Sequence, residues 1–592
     1  MKGMVNIKIN GRPLSVPDGS TILEAARYAH IEIPTLCYLK EINAIGACRI
    51  CVVEVKGAKT LVAACVHPVA PDMEITTDSP KVLNARRTTL ELILSTHKKE
   101  CLTCIRSDNC ELQRLCHVFK VEDENYYQGF TPAFNVDDSA VHMFRDDNKC
   151  ILCRRCVAAC EGWQGLGVIG VNDRGFDTHI SCAFDLPLDH VSCVSCGQCI
   201  TVCPTGAIAE KDNTGEVWDA LADPEKHVVV QTAPSIRATL GEAFGYPVGT
   251  NVAGKMIAAL RRLGFHRVFD TELAADMTIV EEAHELIERV KEGGPLPIIS
   301  SCSPGWVKYC EYYYPELIPN LSTCKSPQQM FGATVKTWYA EKMGWDPKDI
   351  FVVGIMPCTA KKFEVKREDE NAAGFYDVDV SLTTRELARM INRAGILFND
   401  LPDEEFDDPM GESTGAAAIF GASGGVMEAA LRTAADWISG GSIDKVDFDE
   451  VRGMEGVKEA TYHIGELTIN VAAVSGLANV RKVMDRVLSG EADYQFIEVM
   501  CCPGGCINGG GQPVQPASVR NFVDLKSKRA EVLYHTDGNK SLRKSHENPS
   551  LNKIYEEFFG GYGSEKAHRI LHTTYEDRSN ECVKFDKLLG CE

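Results

Sequence analysis

The stretch "CILCRRCVAAC", residues 150–160, spaces its four cysteines as C-x2-C-x2-C-x3-C, and "CVSCGQCITVCP", residues 193–204, repeats that spacing before a proline. Thiolates in this double pattern are typical of bacterial ferredoxins with two [4Fe–4S] clusters, in which the fourth cysteine of each motif ligates the other cluster. The pattern therefore predicts two crossed ligand sets. They are Cys150, Cys153, Cys156 and Cys203 for one cluster, and Cys193, Cys196, Cys199 and Cys160 for the other.

The composition of the 592-residue chain is that of a globular protein, with 44% apolar and 24% charged residues. Its net charge of −21 argues against nucleic acid or an anionic membrane surface as the main partner. No apolar run reaches the ~18 residues of a membrane helix, and the start, "MKGMVNIKINGRPL", alternates like a strand rather than a secretory signal. We therefore expect a cytoplasmic protein whose 26 cysteines mainly bind metal.

Residues 1–80 have the pattern of a small β-rich module. "VNIKI" and "CVVEV" are strand-like, and "DGSTILEAARYAH" predicts a helix capped by Ser20 or Thr21. Four thiols spaced C-x10-C-x2-C-x13-C suit a [2Fe–2S] cluster, although the first gap is longer than in plant ferredoxins. A structural zinc site is the alternative. The thiols are those of Cys37, Cys48, Cys51 and Cys65.

Residues 81–125 contain a second ligand group, after the helical stretch "KVLNARRTTLELILSTHK". One imidazole and three thiols in the spacing H-x3-C-x2-C-x5-C can hold zinc or a [4Fe–4S] cluster, since both accept four ligands in tetrahedral directions. The spacing leaves the metal open, and Cys116 competes with the histidine for the fourth position. The group consists of His97, Cys101, Cys104 and Cys110.

The pattern changes beyond residue 215 to that of an α/β domain. Strand-like runs such as "KHVVVQTAP" and "DIFVVGIMPC" alternate with helical patterns such as "ADMTIVEEAHELIERVKEGG", which predicts parallel sheets flanked by helices. Three cysteine-bearing loops follow strands or precede helices, where α/β folds build their sites. They are "SSCSPGW" (300–306), "MPCTAKKFE" (356–364) and "EVMCCPGGCINGGGQP" (498–513).

These three loops together resemble the signatures of the catalytic domain of [FeFe]-hydrogenases, and the cysteine groups before them are similar to those of the family's long, clostridial-type members. The resemblance runs from "TILEAAR" to "KSHENPSLNKIYEEFFG". It implies a multidomain fold with a β-grasp ferredoxin-like domain (1–80), a His/Cys iron–sulfur segment (81–125), a bacterial two-[4Fe–4S] ferredoxin domain (140–215) and a large α/β catalytic domain (220–572). The tail, 573–592, lies outside it.

The resemblance implies one [2Fe–2S] cluster, three accessory [4Fe–4S] clusters and the H-cluster, a [4Fe–4S] cluster bridged to a two-iron site that carries carbon monoxide, cyanide and an azadithiolate. Cys358, Cys502 and Cys506 are the implied ligands, with Cys506 as the bridge. Cys501 is expected to be a buried small side chain. The implied contacts of the two-iron site are Lys361, Pro234, Ser235, Met356, Met500, Gln328 and Phe420.

The implied proton path consists of Glu285, Ser322, Glu282 and Cys302. Without the resemblance, two carboxylates three residues apart indicate only a solvated helix face. Cys302 is followed here by Ser303, whereas most relatives have adjacent cysteines, the first a proton shuttle and the second a cluster ligand.

Three interpretations of that difference stay open: Ser303 ligates through an alkoxide, Cys302 shifts to ligate, or the cluster is altered and activity is lower or used for sensing. We favour Cys302 at the relay position, because the pKa of a thiol is nearer the operating pH than that of an alcohol.

The implied reaction is the reversible oxidation of H2 to protons and electrons. The implied partners are ferredoxin, or NAD(H)-linked flavin–iron–sulfur subunits of an electron-bifurcating complex, together with maturation proteins for the two-iron site. No G-x-G-x-x-G turn follows a strand, so we assign NAD(H) and flavin to partners.

Three alternatives remain: a hydrogen sensor of low activity, an electron-transfer subunit of NADH dehydrogenase type, and a cluster-assembly scaffold. The three downstream loops argue against the second, and the carboxylate pair with the full set of clusters argues against the third. Four of the remaining cysteines are interpreted as structural: Cys116, Cys182, Cys310 and Cys324. The two in the tail, Cys582 and Cys591, are candidates for a metal site shared with a partner.

Overall fold

The computed structural model describes residues 3–122, 126–127, 132–441, 446–464 and 467–581. Cys582 and Cys591, the tail cysteines singled out above, lie outside these residues. Among the helices of the described residues, none combines the length and the apolar composition that crossing a bilayer requires.

The N-terminal module is a sheet with a helix against it. Its elements are β1 (Met4–Ile9), β2 (Arg12–Pro17), α1 (Ile22–Tyr28), β3 (Val52–Val55), β4 (Val62–Ala63) and β5 (Glu74–Thr76), followed by α2 (Pro80–Leu94). The strand order is β2-β1-β5-β3-β4. Thr21, rather than Ser20, caps α1: its hydroxyl accepts from the Glu24 N–H at 3.2 Å, while the Glu24 carboxylate accepts from the Thr21 N–H at 2.9 Å.

The middle of the chain consists of short elements between cysteine loops. They are α3 (Glu111–Val118), β6 (Met143–Arg145), α4 (Arg155–Ala158), β7 (Gly170–Asn172), β8 (His179–Ser181), α5 (Gln198–Val202) and β9 (Ile208–Glu210). The outer strands β6 and β9 pair antiparallel. This pairing brings together the two ends of the two-motif region, which contains the cysteine motifs at 150–160 and 193–204. This closure places the last cysteine of the second motif beside the first motif.

The catalytic region contains two sheets. Its strands are β10 (His227–Thr232), β11 (Arg267–Asp270), β12 (Ile298–Ile299), β13 (Ile350–Met356), β14 (Val380–Thr383), β15 (Val457–Ile464), β16 (Leu467–Ser475) and β17 (Phe496–Met500). The sheet β11-β10-β13-β14 is parallel throughout, as predicted. The sheet β12-β17-β16-β15 departs from the prediction, since β15 and β16 are antiparallel. Two residues separate these strands, and a parallel crossover needs about a dozen.

Helices cover both faces of the sheets. They are α6 (Thr214–Ala222), α7 (Ala253–Leu263), α8 (Glu272–Glu292), α9 (Pro304–Tyr313), α10 (Pro327–Thr334), α11 (Ala340–Met343), α12 (Lys361–Glu364), α13 (Thr384–Arg393), α14 (Gly415–Ala418), α15 (Gly425–Ser439), α16 (Leu477–Leu488), α17 (Ala517–Arg520), α18 (Leu525–Asn539), α19 (Pro549–Ile554) and α20 (Glu565–Leu571). Along β10, Val228 and Val230 belong to one apolar cluster and Val229 to another, so this strand is buried on both faces.

The carboxyl ends of four parallel strands position the site. β12 and β17 are neighbours in one sheet, and β10 and β13 are neighbours in the other. The loops that follow them begin with Ala233, Ser300, Pro357 and Cys501. Because parallel strands end at the same edge of a sheet, the three cysteine loops meet the loop after β10, which begins Ala233-Pro234-Ser235, at one place.

Residues 573–581, the described part of the tail, pack against the catalytic region. The Tyr575 hydroxyl donates to the Ser322 carbonyl at 2.6 Å. Arg578 donates to the buried carboxylate of Glu311 at 2.9 Å. This segment therefore covers the α9 side of the catalytic region.

Candidate active site

The four thiols predicted to hold a [2Fe–2S] cluster lie together. The Sγ atoms of Cys51 and Cys65 are 3.4 Å apart. Cys37 and Cys48 form the other contact: interaction with the Cys37 thiol lowers the pKa of Cys48 to about 6. Asn43 ties this site to the next module, since its Nδ2 donates to the Cys37 carbonyl at 2.7 Å and to the Cys153 carbonyl at 2.9 Å.

The Nδ1 atom of His97 is buried and has no hydrogen-bond partner in the described part of the chain. Burial lowers its pKa to about 4, so the imidazole is neutral and retains a lone pair. A neutral imidazole whose Nδ1 has no partner among the described residues suits a metal ligand, which favours His97 over Cys116. Cys104 and Cys110 lie near each other, and Cys101 is exposed.

The two-motif region brings its cysteines together in the crossed arrangement. One small cavity is lined by Cys150, Cys153, Cys156 and Cys203. In the other set, burial and the Cys196 and Cys193 thiols raise the pKa of Cys160 to about 12. Crowded, buried thiols cannot all ionise without a cation, and iron supplies that charge.

A larger cavity lies where the catalytic loops meet. Its wall includes the thiols of Cys302, Cys358, Cys501, Cys502 and Cys506. Ser303 also lines it. Cys196 of the two-[4Fe–4S] ferredoxin domain also lines this wall. The predicted ligands of the accessory clusters therefore extend as far as this cavity.

The residues that the resemblance implied as contacts of the two-iron site surround the same cavity. Most of them present apolar surface: the Met356 and Met500 side chains are soft and unbranched, and Phe420 and Pro234 are rigid. Such a lining excludes water from a bound group. The full set of implied contacts on the wall is Pro234, Ser235, Gln328, Met356, Lys361, Phe420 and Met500.

Lys361 is held by a residue that the sequence analysis did not single out. Both carboxylate oxygens of Glu364 lie 2.9 Å from Lys361 Nζ. Glu364 also accepts hydrogen bonds from Gln328 Nε2 at 3.0 Å and Ser326 Oγ at 2.9 Å. The i,i+3 spacing of Lys361 and Glu364 was the available signal.

The glycines of the third loop permit close approach of backbone to backbone. Gly505 has φ +101°, and a Cβ there would lie 2.7 Å from the Ser423 nitrogen. A Cβ on Gly510 would lie 2.2 Å from the Cys196 carbonyl oxygen. These glycines therefore let the loop pack directly on the accessory-cluster region, as well as line the cavity.

The implied proton path follows α8 to the cavity. Glu285 accepts from the Ser322 hydroxyl at 3.0 Å and pairs with Arg289 at 2.5 Å. Glu282 is 2% exposed, and neither carboxylate oxygen has a hydrogen-bond partner among the described residues. Burial and the negative charge of Glu285 raise the pKa of Glu282 to about 8, with the nearby Ser322 hydroxyl opposing the shift. Glu282 is therefore not the solvated surface group that spacing alone indicates.

Cys302 lies at the inner end of this path. Burial, and then the nearby Glu282 carboxylate, raise the pKa of its thiol. A second carboxylate near the path, Glu498, was not expected from the sequence; it is fully buried and accepts the Gly424 and Met427 N–H groups at 2.6 and 2.8 Å. Glu498 lies within β17, where a single carboxylate carries no distinct pattern.

A buried cavity lined by thiols, reached through successive cysteine-lined sites, defines an iron–sulfur oxidoreductase. Family models agree and match in this order: 2Fe-2S iron-sulfur cluster binding domain (2–80), NADH-ubiquinone oxidoreductase-G iron-sulfur binding region (86–125), 4Fe-4S dicluster domain (149–207), iron only hydrogenase large subunit, C-terminal domain (226–510), and iron hydrogenase small subunit (523–578). The last of these extends into the tail segment that we expected to lie outside the resemblance.

Curated relatives match over nearly the whole chain. The NADP-reducing hydrogenase subunit HndD of Solidesulfovibrio fructosivorans is 49% identical, covering 97% of this chain and 99% of the relative. Iron hydrogenase 1 of Clostridium pasteurianum is 44% identical, covering 97% and 100%. The solved apo [FeFe]-hydrogenase from Chlamydomonas reinhardtii superposes with a TM-score of 0.56 at 38% identity, covering 62% of this chain and 99% of that one.

The chain therefore belongs to the iron-only hydrogenase family, oxidoreductases that act on H2. The predicted multidomain fold and the hydrogenase assignment are confirmed, as are the presence of [2Fe–2S] and [4Fe–4S] domains and an H-cluster domain. The lining of the cavity fits that cofactor. The clustered thiols are the ligands that iron–sulfur clusters prefer, and the buried Lys361 ammonium is a hydrogen-bond donor for charged diatomic ligands. The apolar side chains surround the rest of the group.

Proposed function

We propose that this chain is the hydrogen-handling subunit of a multi-subunit hydrogenase, in which electrons pass between the catalytic cavity and NAD(P)-linked flavin–iron–sulfur subunits or ferredoxin. The observation that carries the proposal is the continuity of contacts between cysteine loops from Cys37 to Cys196. The likeness to HndD, a subunit of an NADP-reducing hydrogenase, supports a partner of this kind. The region matched by the NADH-ubiquinone oxidoreductase-G model, residues 86–125, supports it as well.

The proposed electron path has two branches. They meet at the first dicluster site, which is the set Cys150, Cys153, Cys156 and Cys203. Asn43 joins the Cys37 loop to the Cys153 loop. From the His97 segment, Arg106 Nη1 donates to the Cys203 carbonyl at 3.2 Å, and a Cβ on Gly206 would lie 2.5 Å from the Cys104 Sγ. In this proposal, each branch is a separate route by which electrons from a partner reach the first dicluster site.

The path then continues to the cavity. The second dicluster site includes Cys196, which lines the cavity. Two hydrogen bonds fix this junction: Thr359 Oγ1 donates to the Ser195 carbonyl at 2.7 Å, and Gln198 Nε2 donates to the Asn508 carbonyl at 2.9 Å. The junction joins the two-[4Fe–4S] ferredoxin domain to both the second and the third catalytic loops.

Within the cavity, we assign Cys358, Cys502 and Cys506 to the [4Fe–4S] part of the H-cluster. The two-iron part, when bound, supplies the chemistry by which H2 is split or formed. Lys361 offers an ammonium to a cyanide, held in place by Glu364. Ser235, which is fully buried and lines the cavity, would hold the other cyanide through its backbone and hydroxyl. The apolar side chains keep water out, so these contacts act at low dielectric.

Protons move along the chain's own side chains in this proposal. The Glu285 carboxylate takes up a proton near the surface, and the Ser322 hydroxyl passes it inward. The Glu282 carboxylate, with a pKa of about 8, holds the proton in the interior near neutral pH. The Cys302 thiol then delivers it into the cavity. Each group lies near the next, which a proton relay requires.

The physiological setting is part of the proposal. The many clustered thiols suit a reducing compartment, which favours the cytoplasm. The H-cluster domain implies maturation proteins that build and insert the two-iron group. We assign the flavin and NAD(P) sites, and any electron bifurcation, to partner subunits.

The test is to mature the full chain and record its infrared spectrum under H2 and under argon, then assay H2-dependent reduction of viologen, ferredoxin and NAD(P)⁺. We expect metal-bound carbon monoxide and cyanide bands that shift between the gases. Viologen should be reduced by the chain alone, and NAD(P)⁺ only after a flavin-containing partner is added. Reduction of NAD(P)⁺ by the chain alone would contradict the proposed division between subunits.

A further inference from the structure

The Ser303 hydroxyl is already engaged across the cavity wall. Ser303 is the N-cap residue of α9, and its side chain makes no capping bond with that helix. Its Oγ instead accepts the N–H of Cys501 at 3.1 Å. The first and third catalytic loops are therefore joined at Ser303 and Cys501, two positions 198 residues apart in the chain.

The Cys501 thiol occupies the space beside this contact. Its side chain is 4% exposed, and it lines the same cavity as Cys358, Cys502 and Cys506. A Cβ on Gly305, in the first turn of α9, would lie 2.8 Å from the Cys501 Sγ. Gly305 thus leaves room for sulfur where a larger residue would displace it. The thiol also lies within hydrogen-bonding reach of the Cys502 thiol.

We propose that Cys501 supplies the fourth thiolate of the catalytic [4Fe–4S] cluster, completing the set formed by Cys358, Cys502 and Cys506. Ser303 then positions the Cys501 backbone and binds no iron. This inference rests on the assignment of the other three ligands, made above. It replaces our expectation that Cys501 is only a small buried side chain, and it decides against ligation by Ser303, one of the three interpretations left open above.

The chemistry of the donors favours this set. Iron–sulfur clusters are held by thiolates, and soft sulfur is a better match to their iron than a hard alkoxide. Ligation replaces a sulfur–hydrogen bond with a sulfur–iron bond and releases one proton, with no change of oxidation state. Ser303 would have to lose a proton from an alcohol, and one lone pair of its oxygen already accepts the Cys501 N–H. The Cys501 ligand leaves Cys302 free to carry protons.

The location of Cys501 has a consequence for electron transfer. Its thiol also lies within hydrogen-bonding reach of Cys196, a predicted ligand of the neighbouring accessory cluster. A cluster ligated by Cys501 would therefore have one iron on the side of the cavity that faces that accessory cluster.

The test uses the full chain, produced without maturation proteins so that only iron–sulfur clusters are inserted. Iron and sulfide are counted, and electron paramagnetic resonance spectra are recorded for Cys501→Ala, Cys501→Ser, Ser303→Ala and the double variant Ser303→Cys/Cys501→Ala. Cys310→Ala is the matched control, because Cys310 is a buried thiol in the same apolar cluster and points to the Tyr314 carbonyl.

We expect Cys501→Ala to lose up to about four iron atoms per chain, or to show the signal of a three-iron cluster after oxidation. Cys501→Ser should show an altered cluster spectrum. Ser303→Ala and Cys310→Ala should keep the wild-type iron content, and the double variant should regain the iron that Cys501→Ala lost. That recovery separates loss of a ligand from a general folding defect.

The proposal is overturned if Cys501→Ala keeps its iron and its spectrum, or if Ser303→Ala loses iron while Cys501→Ala does not. These measurements need neither H2 nor an electron partner. The proposed function can therefore fail while the ligand set holds, and the reverse is equally measurable.

Discussion

Lys361 Nζ lies 2.9 Å from both carboxylate oxygens of Glu364, and both side chains are buried. Lys361 also donates to the carbonyl of Cys302 at 3.3 Å. This pair connects the first and second catalytic loops and holds an ammonium at the cavity wall. Because both charges are out of water, each depends on the other.

Glu364→Gln should destabilise the catalytic region by about 3–5 kcal/mol, because it leaves the buried ammonium of Lys361 without its counter-charge. Chemical denaturation of the full chain, followed by near-ultraviolet circular dichroism, measures this. Glu54→Gln is the control and should change little, since Glu54 forms an ion pair with Lys81 in which the Lys81 side chain is 61% and the Glu54 side chain 34% exposed. Equal effects in the two variants would contradict the role of the buried pair.

Glu282→Gln should reduce H2 turnover by roughly 100-fold or more, because an amide cannot take up and release a proton in the interior. The spectra of all clusters should be unchanged, since Glu282 contacts none of the predicted ligands. Glu288→Gln is the matched control, as Glu288 lies on the same helix with a side chain that is 57% exposed. A Glu282→Gln enzyme with a normal rate would rule out this path.

The pH dependence of H2 evolution should report Glu282. Its pKa of about 8 means that it holds a proton below that pH and loses it above, so the rate should fall as pH rises through about 8. Glu285 and Glu498 are the charged groups that raise this pKa, after burial.

Glu285→Gln removes one of these charges and should move the falling limb to lower pH, whatever its effect on the maximal rate. The rate of H2 evolution is measured on an electrode at a fixed driving force for each pH. This separates the fall in rate caused by Glu282 from the effect of pH on the driving force of the reaction. An unmoved limb would show that another group controls it.

Gly510→Ala should slow electron exchange between the accessory clusters and the cavity. Its new methyl group would lie 2.2 Å from the Cys196 carbonyl oxygen, which forces the junction apart. Rapid freezing after H2 is added, with magnetic resonance of the reduced clusters, measures the rate. Gly538→Ala, where a Cβ meets nothing within 4 Å, is the control. Equal reduction rates in both variants would show that the junction tolerates the separation.

Local spacing in the sequence predicted much of the site. The double C-x2-C-x2-C-x3-C motif predicted the crossed sets before any fold was known, and the structure brings Cys203 to Cys150, Cys153 and Cys156 as expected. Spacing succeeds here because four ligands of one cluster must approach within a few ångströms, which short loops permit in few ways. The strand-like runs before each catalytic loop were likewise recognisable from β-branched residues.

The partners of individual side chains were less accessible. The sequence left Ser20 and Thr21 as equal candidates for the α1 cap, and it predicted parallel sheets throughout the catalytic region, where β15 and β16 are antiparallel. Glu364 carried only the i,i+3 spacing to Lys361, and Glu498 carried no pattern that distinguished it from other carboxylates. Their roles depend on which elements pack against them.

The sequence by itself indicated the family and the loops that carry the thiols, because these depend on residue type and on short spacings, whereas spacing alone left the metal of the His97 group open. Only the tertiary structure decided that Glu282 is buried without a hydrogen-bond partner among the described residues, and that Cys501 lies against Ser303 and Gly305. Those facts depend on the register of β12 against β17 and on the packing of α8, which bring together residues that are far apart in the chain. Desolvation and contact arise from that packing, and neither is encoded in any single stretch of residues.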